Sequence, residues 1–237
     1  MRKARAIAMA LAVAALILLL LSGPGTKAGW WPWMTGIWFM RGAAYVGLFA
    51  AAVSLVLLIL LAVPRWRVRP WVPLVSLCIA LAAAAPPLIL VSRAKTVPPI
   101  HDITTDTADP PAFVALLAAR NQSPNGSAHG GPEIAAQQQK AYADIKPKVV
   151  PLPPREAMQK AIDAARSLGW EVVASDAAAG RIEATDTTAW FGFKDDVVVR
   201  VRPEGAGSRI DVRSASRVGK SDIGANAARV REFLGKL

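Results

Sequence analysis

The 237-residue sequence contains one cysteine and two histidines, and none of its 17 acidic residues precedes Asp102. The single cysteine, Cys78, excludes an intrachain disulfide and a cysteine-based metal site. His101 and His129 are not at the short spacings by which paired histidines bind zinc. We therefore predict no metal and no cofactor.

Motifs for nucleophilic hydrolysis and for nucleotide binding are also missing. No Gly-x-Ser-x-Gly segment occurs, and such a segment marks many hydrolases. The stretch Gly219-Lys220-Ser221 matches the last three positions of a P-loop, but Ser214 stands where the first glycine belongs. Asp222 follows at the predicted helix start, where its negative charge occupies the end that favours anions. We interpret the stretch as a turn with Ser221 or Asp222 as the helix cap, and we predict no nucleotide.

Acidic residues are absent from the first 91 positions, which hold 8 of the 28 lysines and arginines. Residues 92–237 therefore carry 20 basic and 17 acidic residues, a net charge of +3 out of the total of +11. The basic excess thus comes mainly from the flanks of an apolar N-terminal part. We predict no nucleic-acid partner.

Three apolar segments occupy this N-terminal part, at about residues 4–21, 42–63 and 71–91, and Arg5 at the edge of the first is their only charged residue. Each approaches the roughly 20 residues with which a helix spans the hydrocarbon core of a bilayer. Tryptophans cluster before the second segment, as is typical of membrane interfaces. The sequence predicts a membrane anchor over residues 1–91, with the lipid bilayer as its partner. The lack of ionisable residues inside the segments argues against a transporter.

The basic residues of the short flanks predict the orientation of the anchor. Two groups are expected in the cytoplasm: Arg2, Lys3 and Arg5 before the first segment, and Arg65, Arg67 and Arg69 between the second and third. Three spans then place residues 92–237 outside the bacterial cytoplasmic membrane, in the periplasm. The first segment also fits a cleaved signal peptide, and that alternative leaves the C-terminal part on the same side.

The C-terminal part is predicted to be an exported α+β domain over residues 113–237, after a linker and extended segment over residues 92–112. Short helices are expected near residues 113–120 and 133–142. The periodicity then predicts a helix that follows Pro153 and Pro154 and ends at Leu168, strands at 170–174, 181–188, 194–202 and 208–216, and a final helix at 221–237. Hairpin-length connections and one apolar stripe per helix favour a two-layer sandwich, in which two helices pack on one face of an antiparallel sheet of about four strands.

The longest sequence signal is "GRIEATDTTAWFGFKDDVVVRVRPEGAGSRIDVRSASRVGKSDIGANAARVREFL", with "IHDITTD" and "DPPAF" upstream. These segments resemble a bacterial family called domain of unknown function 1499, and the resemblance covers about residues 98–237. Members with several N-terminal spans are familiar. The resemblance implies a coherent fold and a membrane location, but no reaction.

Two groups of residues are candidates for ligand binding. The stretch "TDTTAWFGFKDD" concentrates Asp186, Trp190, Lys194 and Asp195, which suit either a ligand pocket or a hairpin whose aromatics cover the end of the sandwich. Asp195 and Asp196 are adjacent in a strand and therefore point to opposite faces, so they are not expected to act as a catalytic pair.

The second group is a ladder of arginines on one face of neighbouring strands. The ladder comprises Arg200, Arg202, Arg209 and Arg213, and the corner beyond it comprises Arg217, Lys220 and Asn226. Arginines in this arrangement bind a phosphate or carboxylate, as in an anionic ligand or lipid headgroup. The alternative is a solvated face of cross-strand charge pairs.

The sequence therefore favours a membrane-anchored, non-enzymatic periplasmic module for binding or envelope assembly, with another envelope protein or an anionic ligand as its partner. The alternative is a periplasmic enzyme, or a binder of an anionic small ligand or lipid headgroup, that uses the Trp190 hairpin and the corner formed by Arg217 and Lys220. The two hypotheses differ in one expectation: if these side chains converge on one concave site, the enzyme or small-ligand alternative is favoured.

Overall fold

A computed structural model describes residues 1–61 and 70–237. The described chain forms two units. The first consists of Met1–Arg93 with Ala189–Gly192, and the second of Ala94–Thr188 with Phe193–Leu237. The arginines predicted to orient the loop between the second and third spans, and the last residues of the predicted second span, lie outside the described residues.

The first unit contains three helices: α1 (Arg2–Lys27), α2 (Trp33–Leu60) and α3 (Trp71–Ala94). All three are long and apolar enough to cross a membrane, as the sequence predicted. α1 continues through Pro24, although the predicted segment ends near residue 21. A proline removes only one donor from a helix, and the helix end is closed by the Ala28 N–H, which donates to the Pro24 carbonyl at 2.9 Å.

Small residues occupy the buried faces of these helices. Ala12, Ala50, Ala51 and Ala80 form one buried cluster. A Cβ added at Gly47 would lie 2.9 Å from the Ala80 carbonyl oxygen. Small side chains let helix backbones approach closely, which is how helices associate where apolar surface is already surrounded by lipid.

The second unit consists of a six-stranded antiparallel sheet and four helices among the described residues. Its elements are β1 (Asp102–Thr104), α4 (Leu117–Asn121), α5 (Gly131–Ala141), β2 (Lys148–Val150), α6 (Pro154–Ser167), β3 (Glu171–Asp176), β4 (Arg181–Thr187), β5 (Lys194–Glu204), β6 (Gly207–Ser216) and α7 (Ala225–Lys236). The strand order is β1-β6-β5-β4-β3, and β2 pairs with β6 beside β1. The α+β class is confirmed, but the sheet has six strands and not four, because β1 and β2 are three-residue strands with no measurable periodicity.

Local sequence accounts for the two longer helices. Pro154 occupies the first turn of α6, where its fixed φ and missing N–H cost nothing. Gly169, with φ 79°, follows the end of this helix as predicted. α7 begins at Ala225 and not at Ser221, because Ile223 (φ 55°) and Gly224 (φ 81°) hold the preceding chain in the left-handed region.

The hydrophobic core lies between the sheet and the helices α6 and α7. Alternate residues of the central strands, such as Val197, Val199 and Ile210, are at most 1% exposed and face these helices. Trp170 and Phe233 stack in this layer with ring centroids 5.2 Å apart. Two helices therefore cover one face of the sheet, as predicted.

The other face of the sheet is covered as well. Residues 105–127 fold across it, and Phe113 and Leu116 pack there with Val198 and Ala215. The interpretation of this face as a solvated one is therefore wrong for its centre, where Glu183, Asp196, Asp211 and Arg213 are buried beneath the covering segment. At its edge, Arg200, Arg202 and Arg209 keep 18%, 42% and 31% of their side chains exposed.

Candidate functional site

Asp196 is the centre of a buried ionic cluster on the covered face. Its side chain is 0% exposed and accepts hydrogen bonds from Arg120 Nη1 (3.1 Å), Thr185 Oγ1 (2.9 Å), and Arg217 Nε and Nη2 (2.9 Å each). A carboxylate offers about four lone-pair positions, so these four donors saturate it. Burial lowers the pKa of Arg120. The guanidiniums of Arg120 and Arg217 thus compensate the charge of Asp196, and its four donors leave it no acceptor capacity for a ligand.

Glu183 fastens the covering segment to the sheet. Its carboxylate is 1% exposed and accepts the backbone N–H groups of Val114, Ala115 and Leu116 at 2.9–3.1 Å. Arg181 Nε donates to the same carboxylate at 3.1 Å. The negative charge therefore satisfies backbone donors that the covering turn leaves unpaired.

Arg213 forms a second buried attachment on this face. Its guanidinium pairs with both oxygens of Asp102 at 2.7 and 2.9 Å, and it donates to the carbonyls of Pro111 and Ser127. The guanidiniums of Arg120 and Arg213 both lie over the ring of Phe113, at 4.6 and 4.9 Å from its centroid. Such cation–π contacts stabilise a desolvated arginine. Arg213 is therefore part of the fold, with its donors directed at the covering segment.

The remaining arginines of the ladder surround one buried carboxylate. Arg200, Arg202 and Arg209 contact Asp211, which is 0% exposed, at 3.0–3.2 Å. The same arginines pair with two acids of the covering segment, Asp106 and Asp109. Three arginines thus meet three aspartates. The ladder carries no net positive charge with which to attract an anion.

Asp195 points to the opposite face, as predicted for a neighbour of Asp196. It pairs there with Arg229 of α7 at 2.7 Å, and Arg229 also pairs with Asp186 at 2.7 Å. Asn226, 0% exposed, accepts from Arg229 and from the Ser214 hydroxyl and donates to the His101 carbonyl. This second polar cluster joins α7 to the sheet.

The corner before α7 has no phosphate cradle. Asp222 accepts hydrogen bonds from the backbone N–H groups of Gly224 and Asn226, each at 2.8 Å. The donors that a phosphate would use are therefore already occupied by a carboxylate. Burial raises the pKa of Asp222. Lys220 is exposed beside this turn.

Trp190 is placed apart from the other predicted site residues. It belongs to the Ala189–Gly192 segment of the first unit, where its indole Nε1 donates to Ser22 Oγ at 3.3 Å. A Cβ at Gly23 would collide with the indole ring, so this position requires glycine. Lys194, on β5, is exposed. The predicted ligand set is thus divided between the covered face, the α7 face and the first unit.

An open groove of about 840 Å³ lies in the second unit between α6 and the turn that joins β3 to β4. One wall is formed by residues of α6 from Pro154 to Ile162, and the other by Ser175 and residues 177–180 of the turn. Asp176 lies between them, where it accepts the Ala179 N–H at 3.0 Å and pairs with Arg181. Residues 201–203 at the end of β5 close it. Sequence reasoning missed this groove because its walls come from segments far apart in the chain, and "SDAAAG", residues 175–180, has only the composition of a turn.

The groove is apolar with a basic rim. Nine of its thirteen lining residues are apolar, two are the arginines Arg155 and Arg202, and none is acidic. Gly180 has φ 60°, and a Cβ there would collide with the carbonyl oxygen of Val201. The Val201 N–H donates to the Gly180 carbonyl at 2.7 Å. Glycine therefore lets the turn lie against β5 and form the wall.

No group of three or more histidines, cysteines, aspartates or glutamates is placed to hold a metal ion within residues 1–61 and 70–237. The described arrangement thus offers two chemically different features. The first is a set of buried and partly buried ion pairs, and the second is an apolar groove with arginines at its edge.

Comparison with known proteins gives one family match. Neither the curated proteins nor the solved structures include a match to this chain. The family model described as "Protein of unknown function (DUF1499)" matches residues 102–237, from β1 through the end of α7. This stretch contains the sheet, both polar clusters and the groove, and it is more than half of the chain. The chain therefore belongs to the DUF1499 family.

Proposed function

We propose that this protein is a membrane-anchored, non-enzymatic binding module of the bacterial envelope. The three apolar helices anchor it in the cytoplasmic membrane, with the N-terminus in the cytoplasm and the C-terminal domain in the periplasm. The basic residues before α1 support this orientation, because lysines and arginines of short loops favour the cytoplasmic side.

The observation that carries the proposal is the contrast between the ionic clusters and the groove. Asp186, Asp195 and Asp196 each pair with an arginine, whereas the groove is open and lined by no acidic residue. A general acid or base is a side chain such as that of His, Asp, Glu, Lys, Tyr or Cys within hydrogen-bond reach of the substrate. The groove supplies none, so it suits binding and not proton transfer.

The alternative site at the Trp190 hairpin and the Arg217–Lys220 corner has less support. Arg217 directs Nε and Nη2 at Asp196, and the pKa of Arg217 is raised chiefly by that hydrogen bond. The backbone N–H groups at the start of α7 are capped by Asp222. An anion at this corner would have to displace two carboxylates.

In-cell photo-crosslinking tests the binding function. A photoreactive amino acid is introduced at Ala178 in the groove wall, or at Ala228 on α7 as the matched control, since both alanines are exposed. We expect one discrete adduct from position 178 and none from position 228. Absence of an adduct at position 178, or the same adducts at both positions, would contradict a binding role for the groove.

Reporter fusions after Leu237 test the orientation separately. The proposal predicts active alkaline phosphatase and no fluorescence from ordinary green fluorescent protein. Fluorescence with inactive phosphatase would place the C-terminal domain in the cytoplasm and refute the periplasmic assignment.

A further inference from the structure

We infer that the groove binds a long-chain fatty acid as its carboxylate, with the alkyl chain along α6 and the head group on Arg155. This inference rests on the proposed binding function and names the ligand class.

The floor of the groove is continuous with the hydrophobic core. Met158 and Ile162 are 5% and 9% exposed, and Val201 is 4% exposed. All three belong to the main core cluster and also line the groove. These floor residues expose little surface, so an alkyl chain in the groove would mainly cover the exposed apolar residues of its walls, Pro154, Pro203 and residues 177–179. Removing that surface from water is favourable in proportion to the area covered.

The shape of the groove favours an amphiphile. Its volume of about 840 Å³ is of the size that binds small molecules. Only Gln159 and Ser175 supply neutral polar side chains, which are too few to fix a polar solute. Because the groove is open on one side, a ligand with one apolar arm and one solvated head matches both its wall and its edge.

The charge at the edge selects an anionic head. Arg155 lies in the first turn of α6, where the helix dipole adds positive potential. Within the part of the chain that the structure describes, Arg155 has no ion-pair partner, whereas Arg202 already pairs with Asp109 and Asp211. One guanidinium is therefore available for a bidentate contact.

A single available guanidinium matches a carboxylate better than a phosphomonoester. A carboxylate carries one negative charge, whereas a phosphate monoester carries about 1.5 to 2 at neutral pH. The second charge of a lysophosphatidate head would remain unpaired beside an apolar wall. We therefore assign the head group as a carboxylate.

Photolabelling of the full chain in phosphatidylcholine nanodiscs tests this assignment. The probe is palmitate carrying a diazirine, and the labelled peptides are mapped by mass spectrometry. Unlabelled palmitate, methyl palmitate and palmitoyl lysophosphatidate are the competitors. Arg155→Gln removes the proposed contact, and Arg166→Gln, on the exposed last turn of the same helix, is the matched control.

We expect the label on residues 154–162 and 175–180, displaced by palmitate at concentrations about 10-fold lower than methyl palmitate requires. Arg155→Gln should lower labelling about 3- to 10-fold, since a partly exposed charged contact is worth less than a buried one, and Arg166→Gln should leave it unchanged. Label elsewhere, equal competition by the ester, stronger competition by lysophosphatidate, or equal effects of the two variants would overturn the assignment. If the adduct formed at position 178 in cells is not a fatty acid, the fatty-acid assignment is refuted and the binding function stands. If no adduct forms, both the binding function and the fatty-acid assignment are refuted.

Discussion

Replacement of Asp196 by asparagine tests whether the charged residues of the sheet are structural. The variant keeps the shape of the side chain but removes the negative charge that faces Arg120 and Arg217. It also replaces one acceptor oxygen by an amide NH₂ group, which is itself a donor and faces the guanidinium N–H donors. Arg120 is 1% exposed and Asp196 0% exposed, so the guanidinium is left buried without its counter-ion. Breaking such a pair by removing one partner typically costs about 3–5 kcal/mol.

This loss is a large share of the total stability of a domain, which is about 5–15 kcal/mol. With a urea dependence of about 2 kcal/mol per M, the unfolding midpoint of the second unit should fall by about 1.5–2.5 M. The measurement is urea-dependent pulse proteolysis of the full chain in detergent micelles, with cleavage mapped to the second unit.

Asp144→Asn is the matched control for the same change of chemistry. Asp144 pairs with Arg231, but their side chains are 58% and 44% exposed. An exposed pair contributes about 0–1 kcal/mol, so the midpoint should shift by at most about 0.5 M. Equal shifts for the two variants would refute the structural role of Asp196 and reopen the covered face as a site.

Three further predictions concern the covering segment, the corner before α7 and the groove wall. Glu183→Gln should lower the free energy of local opening at the amides of residues 114–116 by about 1–3 kcal/mol and so speed their hydrogen exchange, while the β5 amides change less. Burial raises the pKa of Asp222, so its contribution to stability is complete below the unfolded pKa and is lost as pH rises through the native pKa. The urea midpoint of the wild type should therefore fall relative to Asp222→Asn between pH 4 and pH 7, and parallel curves would contradict this reasoning. Gly180→Ala should lower stability by at least about 1–2 kcal/mol, the cost of the left-handed conformation alone, and an unchanged midpoint would show that the turn does not require glycine.

The elements that the sequence predicts well are long and periodic. α6 has an apolar stripe and ends before Gly169, β4 and β6 alternate apolar and polar side chains, and β5 carries a run of valines. β1 and β2 have three residues each, and only their pairing with β6 makes them strands. An alternation of apolar and polar residues cannot be recognised over only three residues.

The covered face shows a different limit. Alternation correctly assigns Arg209, Asp211 and Arg213 to one face of β6, but alternation cannot distinguish a solvated polar face from a buried one. The distinction depends on residues 105–127, which fold back because Glu183 and Asp196 supply their partners. Those contacts join residues 67 or more positions apart and leave no local signal.

The candidate site was the least predictable feature. Trp190 lies near Asp186 in the sequence, yet the structure groups it with the N-terminal helices. The groove arises only where α6, the β3–β4 turn and the end of β5 meet. Its chemistry depends on Arg155, a residue whose exposed position on a helix gives no sign of function.

Native mass spectrometry of the full chain extracted from its own membranes tests the central claim most directly. The binding account predicts that the protein retains one small molecule with the mass of a fatty acid. It also predicts that Ala178→Trp, which adds an indole to the groove wall, loses this molecule while keeping the same urea midpoint. A protein that carries no adduct, or an adduct that Ala178→Trp retains in full, would contradict the assignment of the groove as the binding site.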